Sequence, residues 1–364
     1  MEFSLNLTLS SVSFGQTSIA ILREIKRRGL VPPLSPIGPV DLSAQKEDDD
    51  FNRWLSVCIS RFNREHNRKN PTVKLWHLQD SLGSLSEKQI LISFYELDQP
   101  TESEKNIARN NKRVLFSSEF TCEVFRKNGG CDNIGYIPLG FDSFNFEKIN
   151  REYFTDGRIT FNLAGKFEKR KHHAKILNAW SKRFGNDKRY SLQCALYNPF
   201  MTKEQNLSLF TQALSGIKFS NINYLAFMPH NKMYNDFLNS GDIVIGMSGG
   251  EGWGLPEFQS VALGKHSVIL NRNGYTSWAN SKNSVLVESN GKVTCEDGIF
   301  FAAGHEFNQG TIFDFNEDEF IHSCELAINR AQANKLNLEG LKLQQEFPYS
   351  KTVDVILKEV EACL

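Results

Sequence analysis

Neither sign of charge is in excess in this sequence: 42 Lys plus Arg face 42 Asp plus Glu over 364 residues. A dedicated binder of duplex DNA or another polyanion needs a cation for each phosphate it neutralises, so the balance excludes that class at the level of the whole chain. Closely spaced cysteines are missing as well. The seven present, Cys58, Cys122, Cys131, Cys194, Cys295, Cys324 and Cys363, are scattered, with no pair at the spacing of a zinc site or a redox motif, and they read as reduced thiols of a cytoplasmic protein. No run approaches the roughly 18 to 20 apolar residues of a membrane span, and the segment from Met1 to Ile21 lacks the basic start and cleavage site of a signal peptide. The expected location is therefore the cytoplasm, with contact at a membrane surface left open. No short-period repeat is visible, which excludes a solenoid or a propeller.

What is present describes a chain that folds. With 40% hydrophobic and 23% charged residues, 28 Phe and only 11 Pro, it has the means to bury a substantial core. At roughly 100 to 200 residues per domain, the length suggests two domains. Strand-like and helix-like patterns alternate, the mark of a layered α/β architecture with largely parallel sheets. The first unit is a strand over Phe3 to Leu9, a turn through Ser13 to Gln16 with Gly15 at the bend, and a helix from Thr17 to Arg28 closed by Gly29. Pro32 to Pro39 reads as loop. Asp48, Asp49 and Asp50 have the look of a metal site, but a solvated helix start accounts for them better. Strands follow near Val73–His77, Gln89–Phe94 and Arg113–Ser117, and a second series begins at Ile159–Ala164 and recurs at Tyr190, Ile222, Asp242, Ser267 and Ser284.

Two clusters carry chemistry. The first, AGKFEKRKHHAKILNAW from Ala164 to Trp180, follows a strand and runs into a helix. Gly165 lets the backbone turn, while Lys166, Lys169, Arg170 and Lys171 crowd cations onto the carboxyl end of the strand, where open α/β sheets bind ligands. An anionic ligand such as a diphosphate fits, and so does a solvated basic loop. The glycine spacing of a Walker A loop, and its closing Lys-Ser or Lys-Thr, are absent. The second cluster, MSGGEGWGLPEFQSVALGKHSVILN from Met247 to Asn271, is more specific. A strand delivers the chain into Ser248, Gly249, Gly250, Glu251, Gly252, Trp253, Gly254 and Leu255, and Pro256 suits the first turn of a helix. The glycines permit close backbone approach to a ligand, exposed amides at the helix start favour an anion, and Glu251 supplies an acceptor for sugar hydroxyls.

Together these clusters resemble the retaining glycosyltransferases of family 4. The likeness is carried by the basic loop Gly165 to Lys171, by FMPHNKMYNDFLNSGDIVIGMS, and by GEGWGLPEFQSVALGK. In the first half it is looser, through Gly15, SSEFTCEVFRKNG and PLGFDSFNF. The resemblance implies the GT-B fold: an N-terminal Rossmann-like acceptor-side domain over 1–153 and a nucleotide-sugar domain over 154–340, facing a central cleft, with 341–364 as a helix crossing back to the first domain. It implies Lys166 and Lys171 on the donor diphosphate with Arg170 as helper, Glu251 on the donor sugar, and no metal or other cofactor. The family's second carboxylate, eight positions after the first, binds the ribose diol. Here that position is Gln259, which accepts from one hydroxyl and donates to another without the strength of a charge-assisted bond. Glu257 lies two residues away, about 200° around the helix, and reads as a favourable charge in its first turn.

In the first half, His77 in KLWHLQDS and Glu96 in ISFYELDQP lie near strand ends, within reach of an acceptor or the donor sugar, although His77 also suits a structural place. His172, His173 and His230 read as peripheral. The run holding Arg61, Arg64, Arg68, Lys69 and Lys74 forms either a patch for an anionic acceptor or a solvated helix face. The resulting expectation is a metal-independent hexosyltransferase that uses a nucleotide diphosphate sugar, preferably a UDP-sugar, to modify a hydroxyl on a glycan, lipid, protein or modified nucleic acid. A sugar-nucleotide-binding protein with little turnover, or an enzyme acting on a hydroxymethylated DNA base, are the rivals.

Overall fold

The alternation of patterns becomes two parallel sheets of six strands each, in a computed structural model that describes residues 2–297 and 300–364. The first sheet contains β1 (Ser4–Thr8), β2 (Leu34–Ile37), β3 (Thr72–Leu75), β4 (Gln89–Ser93), β5 (Arg113–Phe116) and β6 (Ile134–Tyr136), in the order β2-β1-β3-β4-β5-β6. Its central strands are buried along their whole length, as expected of parallel strands covered on both faces. The order reverses between β1 and β3, which opens the ligand edge of such a sheet at the carboxyl ends of those two strands. Pro32 to Pro39, expected as loop, contains β2. Pro36 pairs in register with Leu7, and β2 is an edge strand, the place where a residue without an N–H is tolerated. The first helix begins at Ser13, four residues before the expected Thr17, and takes Phe14 and Gly15 into its first turn.

The second sheet holds β7 (Ile159–Gly165), β8 (Tyr190–Leu196), β9 (Ile222–Tyr224), β10 (Ile243–Gly246), β11 (His266–Leu270) and β12 (Val285–Val287), ordered β12-β11-β10-β7-β8-β9. Here the reversal falls between β7 and β10, the two strands that deliver the chemical clusters. An antiparallel hairpin, β13 (Ser289–Thr294) with β14 (Thr311–Phe315), was not expected. Its first strand, SNGKVT, is half-buried to exposed throughout and has no apolar alternation for a sequence reading to detect.

The chain divides between the two units at Asn145/Phe146 rather than at 153/154, and the later division falls at Glu346/Phe347 rather than at 340/341. The earlier shift has a visible cause: residues after Phe146 are stitched to the second unit. The Glu147 and Ile149 amides donate to Asn235 and Asn239 side chains at 3.2 and 2.9 Å, and the Tyr153 hydroxyl donates to Asp236 at 2.8 Å. Gly304–Gln309 also belongs to the first unit, where the Thr101 hydroxyl donates to the Glu306 carbonyl and the Asn308 amide to Glu104.

The last helix, Tyr349–Glu361, is part of the first unit and lies against its first helix, Ser13–Arg27. Val353, Ile356 and Val360 enter the core beside Leu22, Ile25 and Leu55. Arg28 anchors the helix through Asp354 at 2.7 Å and the Ser350 carbonyl at 2.8 Å, and the Thr352 hydroxyl donates to the Pro138 carbonyl. All seven cysteines are free thiols and buried. Asp48 caps the helix Asp49–Glu65 by accepting the Phe51 amide and pairs with Arg23, which matches the helix-start reading of the acidic run. The basic run does not form one patch. Lys74 is buried on β3, donating to the carbonyls of Ser81 and Gly83, and Arg61 is engaged by Glu65 and the Val31 carbonyl. Among the described residues no helix is long and apolar enough to cross a membrane.

Ile356→Ala removes a side chain with no exposure and is expected to destabilise the protein by about 2 to 5 kcal/mol in denaturant unfolding. A loss under about 0.5 kcal/mol would show that the last helix contributes little to the first unit's core.

Candidate functional site

β7 and β10 are hydrogen-bonded neighbours whose following connections leave on opposite sides, and at their carboxyl ends the two sequence clusters meet. After β7 the chain passes Gly165, at φ +131°, into a short 3-10 turn over Lys169–Lys171; His172, at φ +55°, then turns it into the helix His173–Phe184. After β10 it passes through Ser248–Gly254, and Gly254, at φ +80°, caps the helix Leu255–Ala262 with Pro256 in its first turn. The two loops are joined by backbone: the Gly249 amide donates to the Arg170 carbonyl at 2.8 Å, and the Ser248 hydroxyl donates to the same oxygen at 3.2 Å.

Charges meet on this frame. Lys171 Nζ is bonded to Glu251 Oε1, and Arg170 Nη1 stands 3.2 Å from the same oxygen and 2.6 Å from the Gly250 carbonyl. Arg170 Nε pairs with Glu168 at 3.0 Å, and Glu168 is also 3.5 Å from Lys166. Arg170, Lys171, Glu168 and Glu251 are all buried. Burial works against the Glu251 charge, but the neighbouring Lys171 and Arg170 more than offset it and hold the carboxyl below its usual range. Glu257 is opposite in sign: burial, with Glu251 nearby, pushes it up to about 7 against the pull of Lys171. His173 is driven well below its ordinary value by burial and then by Lys171 and Arg170, so it is neutral near pH 7.

Two further segments fix the glycine loop. From the loop after β11, Asn273 donates its side-chain amide to the Ser248 carbonyl at 3.0 Å, and the Gly274 amide donates to the Glu251 carbonyl at 2.9 Å. From β14, the Phe313 amide donates to the Gly249 carbonyl at 3.0 Å, and the His172 ring bonds the Phe313 carbonyl at 2.8 Å. Close approach explains the glycines. A Cβ on Gly249 would lie 2.3 Å from the Phe313 carbonyl oxygen, and one on Gly254 would lie 2.2 Å from the Tyr275 ring.

Of the residues singled out in the sequence, Gly165, Arg170, Lys171, Ser248, Gly249, Gly250, Glu251, Gly252 and Gly254 come together at this fork. Lys166 joins through Glu168; its side chain is 39% exposed and its ammonium lies between the Phe200 and Phe300 rings at 5.4 and 5.5 Å. Trp253 is turned inward, 3% exposed, with its ring 5.3 Å from Phe258, so its indole is not presented to the loop's surface. Leu255 begins the helix, and Gln259 is buried one turn on. His172 and His173, read as peripheral, are structural members of the cluster. Glu257, read as a charge at a helix start, is a buried member of it. Tyr275 and Asn273 were missed, although the Asn273-Gly274 pair directly after a strand end is a turn signal that marks the ligand edge.

In the first unit, Gly15 is required by packing: a Cβ there would lie 2.1 Å from the Ser10 carbonyl oxygen. Its neighbour Phe14 touches the exposed His77 at 4.3 Å and Phe94 at 4.4 Å. Gly15, His77 and the half-buried Glu96 thus follow β1, β3 and β4 at the ligand edge of that sheet.

Two Rossmann-type units with these strand orders define the GT-B class of fold, and solved GT-B structures match the chain over its full length. A sucrose-phosphate synthase from Thermosynechococcus elongatus aligns with a TM-score of 0.67 at 12% identity, covering 100% of both chains. A glycosyltransferase from Rickettsia africae gives 0.68 at 12%, covering 100% of this chain and 98% of its own, and Anabaena HepE, in complex with UDP and glucose, gives 0.65 at 12% over 100% of both. No protein-family model matches the chain, and neither does any curated protein. At such identities the likeness establishes the fold.

Gly254→Ala tests the fit of the loop. It adds strain at a left-handed backbone position, about 1 to 3 kcal/mol, and a clash with Tyr275. Gly157→Ala, at φ +73° with open space around it, adds the strain alone. Thermal unfolding should show the larger loss for Gly254→Ala; equal losses would mean that Tyr275 yields freely.

Proposed function

We propose that the chain is a retaining glycosyltransferase that moves a hexosyl unit from a nucleotide diphosphate sugar, a UDP-sugar by preference, to an acceptor hydroxyl. The observation that carries this reading is a pair of buried cations, Lys171 and Arg170, tied to Glu251 at the mouth of a glycine loop that opens a helix. Buried cations beside the start of a helix suit a diphosphate, and they would stabilise the charge that develops on it as the glycosidic bond breaks. The bond between the sugar's anomeric carbon and the phosphate oxygen breaks, the acceptor oxygen bonds to that carbon on the same face, and the departing phosphate takes the acceptor proton. Lys171 and Arg170 would serve where other transferases use a divalent cation. Glu251, released from Lys171 by the diphosphate, would accept from sugar hydroxyls. Gly15, His77 and Glu96 would serve the acceptor side. Neighbouring folds support the donor: HepE is described with UDP and with UDP-glucose.

Lys171→Ala and Glu251→Ala are each expected to lower transfer by about 10²- to 10³-fold, the usual effect of removing one transition-state charge contact, while circular dichroism shows a folded chain. Full activity in both would overturn the site. A thermal-shift screen of UDP, GDP and ADP sugars should find a stabilising donor, worth about 2.7 kcal/mol at a hundred times its dissociation constant, with product mass spectrometry to follow. Gln259 in place of a carboxylate favours one rival, a binding protein with little turnover. Stabilisation by a UDP-sugar with neither transfer nor hydrolysis would select that rival.

A further inference from the structure

Glu257 takes no part in the transfer chemistry above, yet it is placed unlike an ordinary helix-start carboxylate. It is 3% exposed. Its side chain lies directly over Gly246 of β10, where a Cβ would come within 2.7 Å of its Cγ, and its Oε2 would be 3.2 Å from a Cβ on Gly254. Oε2 and the Tyr275 hydroxyl are both fully buried, and the Tyr275 hydroxyl is the side-chain donor facing this carboxyl, although their geometry falls short of a well-formed hydrogen bond. The groups facing Glu257 are Lys171 from the turn after β7, Glu251 from the glycine loop, Tyr275 from the loop after β11 and Tyr234 from the helix Asn231–Ser240. Of these Lys171 favours a second negative charge most and Tyr275 favours it less, and the Lys171 ammonium is already bonded to Glu251. A buried carboxylate whose only cation is shared with another carboxylate is disfavoured against its neutral acid, which can also donate its O–H to a neighbouring oxygen. The proton-bound form is favoured up to about pH 7.

Building on the donor-site reading above, we propose that Glu257 is a positioning residue that holds the proton of a Glu251–Glu257 carboxyl pair, and that it takes up a proton from solvent when a nucleoside diphosphate draws Lys171 away. The reasoning is electrostatic. When a phosphate neutralises Lys171, Glu257 loses the cation that most favours its charge, while ionised Glu251 stays beside it. Protonation of a Glu257 oxygen removes that repulsion and leaves Glu251 as the single ionised acceptor for sugar hydroxyls. Binding of the diphosphate and binding of a proton are then linked, each favouring the other.

The test is calorimetric titration of UDP into the full chain at pH 7.5, in two buffers of different ionisation enthalpy, for wild type and Glu257→Gln. Protons released by UDP itself are common to both and cancel. Wild type is expected to take up a measurable fraction of a proton more than the variant. Equal proton balance with intact UDP binding would overturn the inference and leave the donor site standing; absence of UDP binding to wild type would overturn both. Should Glu257→Gln fail to fold, difference infrared spectroscopy of wild type keeps the idea exposed. UDP should increase the carbonyl band of a protonated carboxyl at pH 7.5, and no increase would sink the proposal. Without ligand, the melting temperature of wild type should fall relative to Glu257→Gln as pH rises from about 4.5 to about 7 and then level off, because within that window the unfolded chain has lost a proton that the folded chain keeps. Parallel profiles would likewise count against it.

Discussion

Two cations and a carboxylate are held out of water at the fork between β7 and β10, and the second unit is arranged around satisfying them. Burying an ion costs several kcal/mol even after relaxation, and mutual attraction offsets this only when geometry is good and the remaining donors are filled. Arg170 approaches that demand through ion pairs with Glu168 and Glu251 and an Nη1 hydrogen bond to the Gly250 carbonyl. Glu251 in turn answers both Lys171 and Arg170. Such a cluster is a poor way to gain stability, since apolar residues of similar volume often do as well. Its retention is understandable if the charges are there for a ligand that exchanges with one of the partners.

Close quarters at the fork dictate the composition of the loop. The glycine stretch is squeezed by β14 on one side and by the Asn273–Tyr275 segment on the other, and both approach by backbone hydrogen bonds that leave no room for side chains. Gly249 faces the Phe313 carbonyl, Gly252 faces Gly274, and Gly254 faces the Tyr275 ring. The glycines therefore let neighbouring backbone approach and hold the loop still. A preorganised set of dipoles costs no reorganisation when charge develops beside it.

In the first unit the same logic is milder. Gly15 admits the Ser10 carbonyl against the first helix, and Phe14 uses that seat to touch His77 and Phe94 across three strand ends. The unit's core is completed from far along the chain, by Val353, Ile356 and Val360 of the last helix.

How much of this was legible in the sequence follows from which interactions are local. Apolar runs such as QILIS and the alternation of strand and helix patterns report burial directly, so the parallel α/β class and most strands could be read. The βα turns at Gly165 and Gly254 announced themselves through glycine, helix-starting Pro256 and crowded lysines, and so did most of the fork. β2 was hidden because Pro33 and Pro36 argue against a strand unless it lies at an edge, and edge position is a property of the sheet. The hairpin β13–β14 was hidden because its first strand has no buried face to impose a pattern. Glu257 marks the limit most clearly. Sequence places it two residues from Gln259 on a helix, and helical geometry turns it away from that residue; only the packing of that helix over Gly246, beneath Lys171 and Glu251, converts an ordinary first-turn carboxylate into a buried one. Residue types and their spacing determined the fold class and the chemistry on offer, whereas tertiary structure decided which charges lose water and which neighbour each then needs, because desolvation depends on everything that closes around a group.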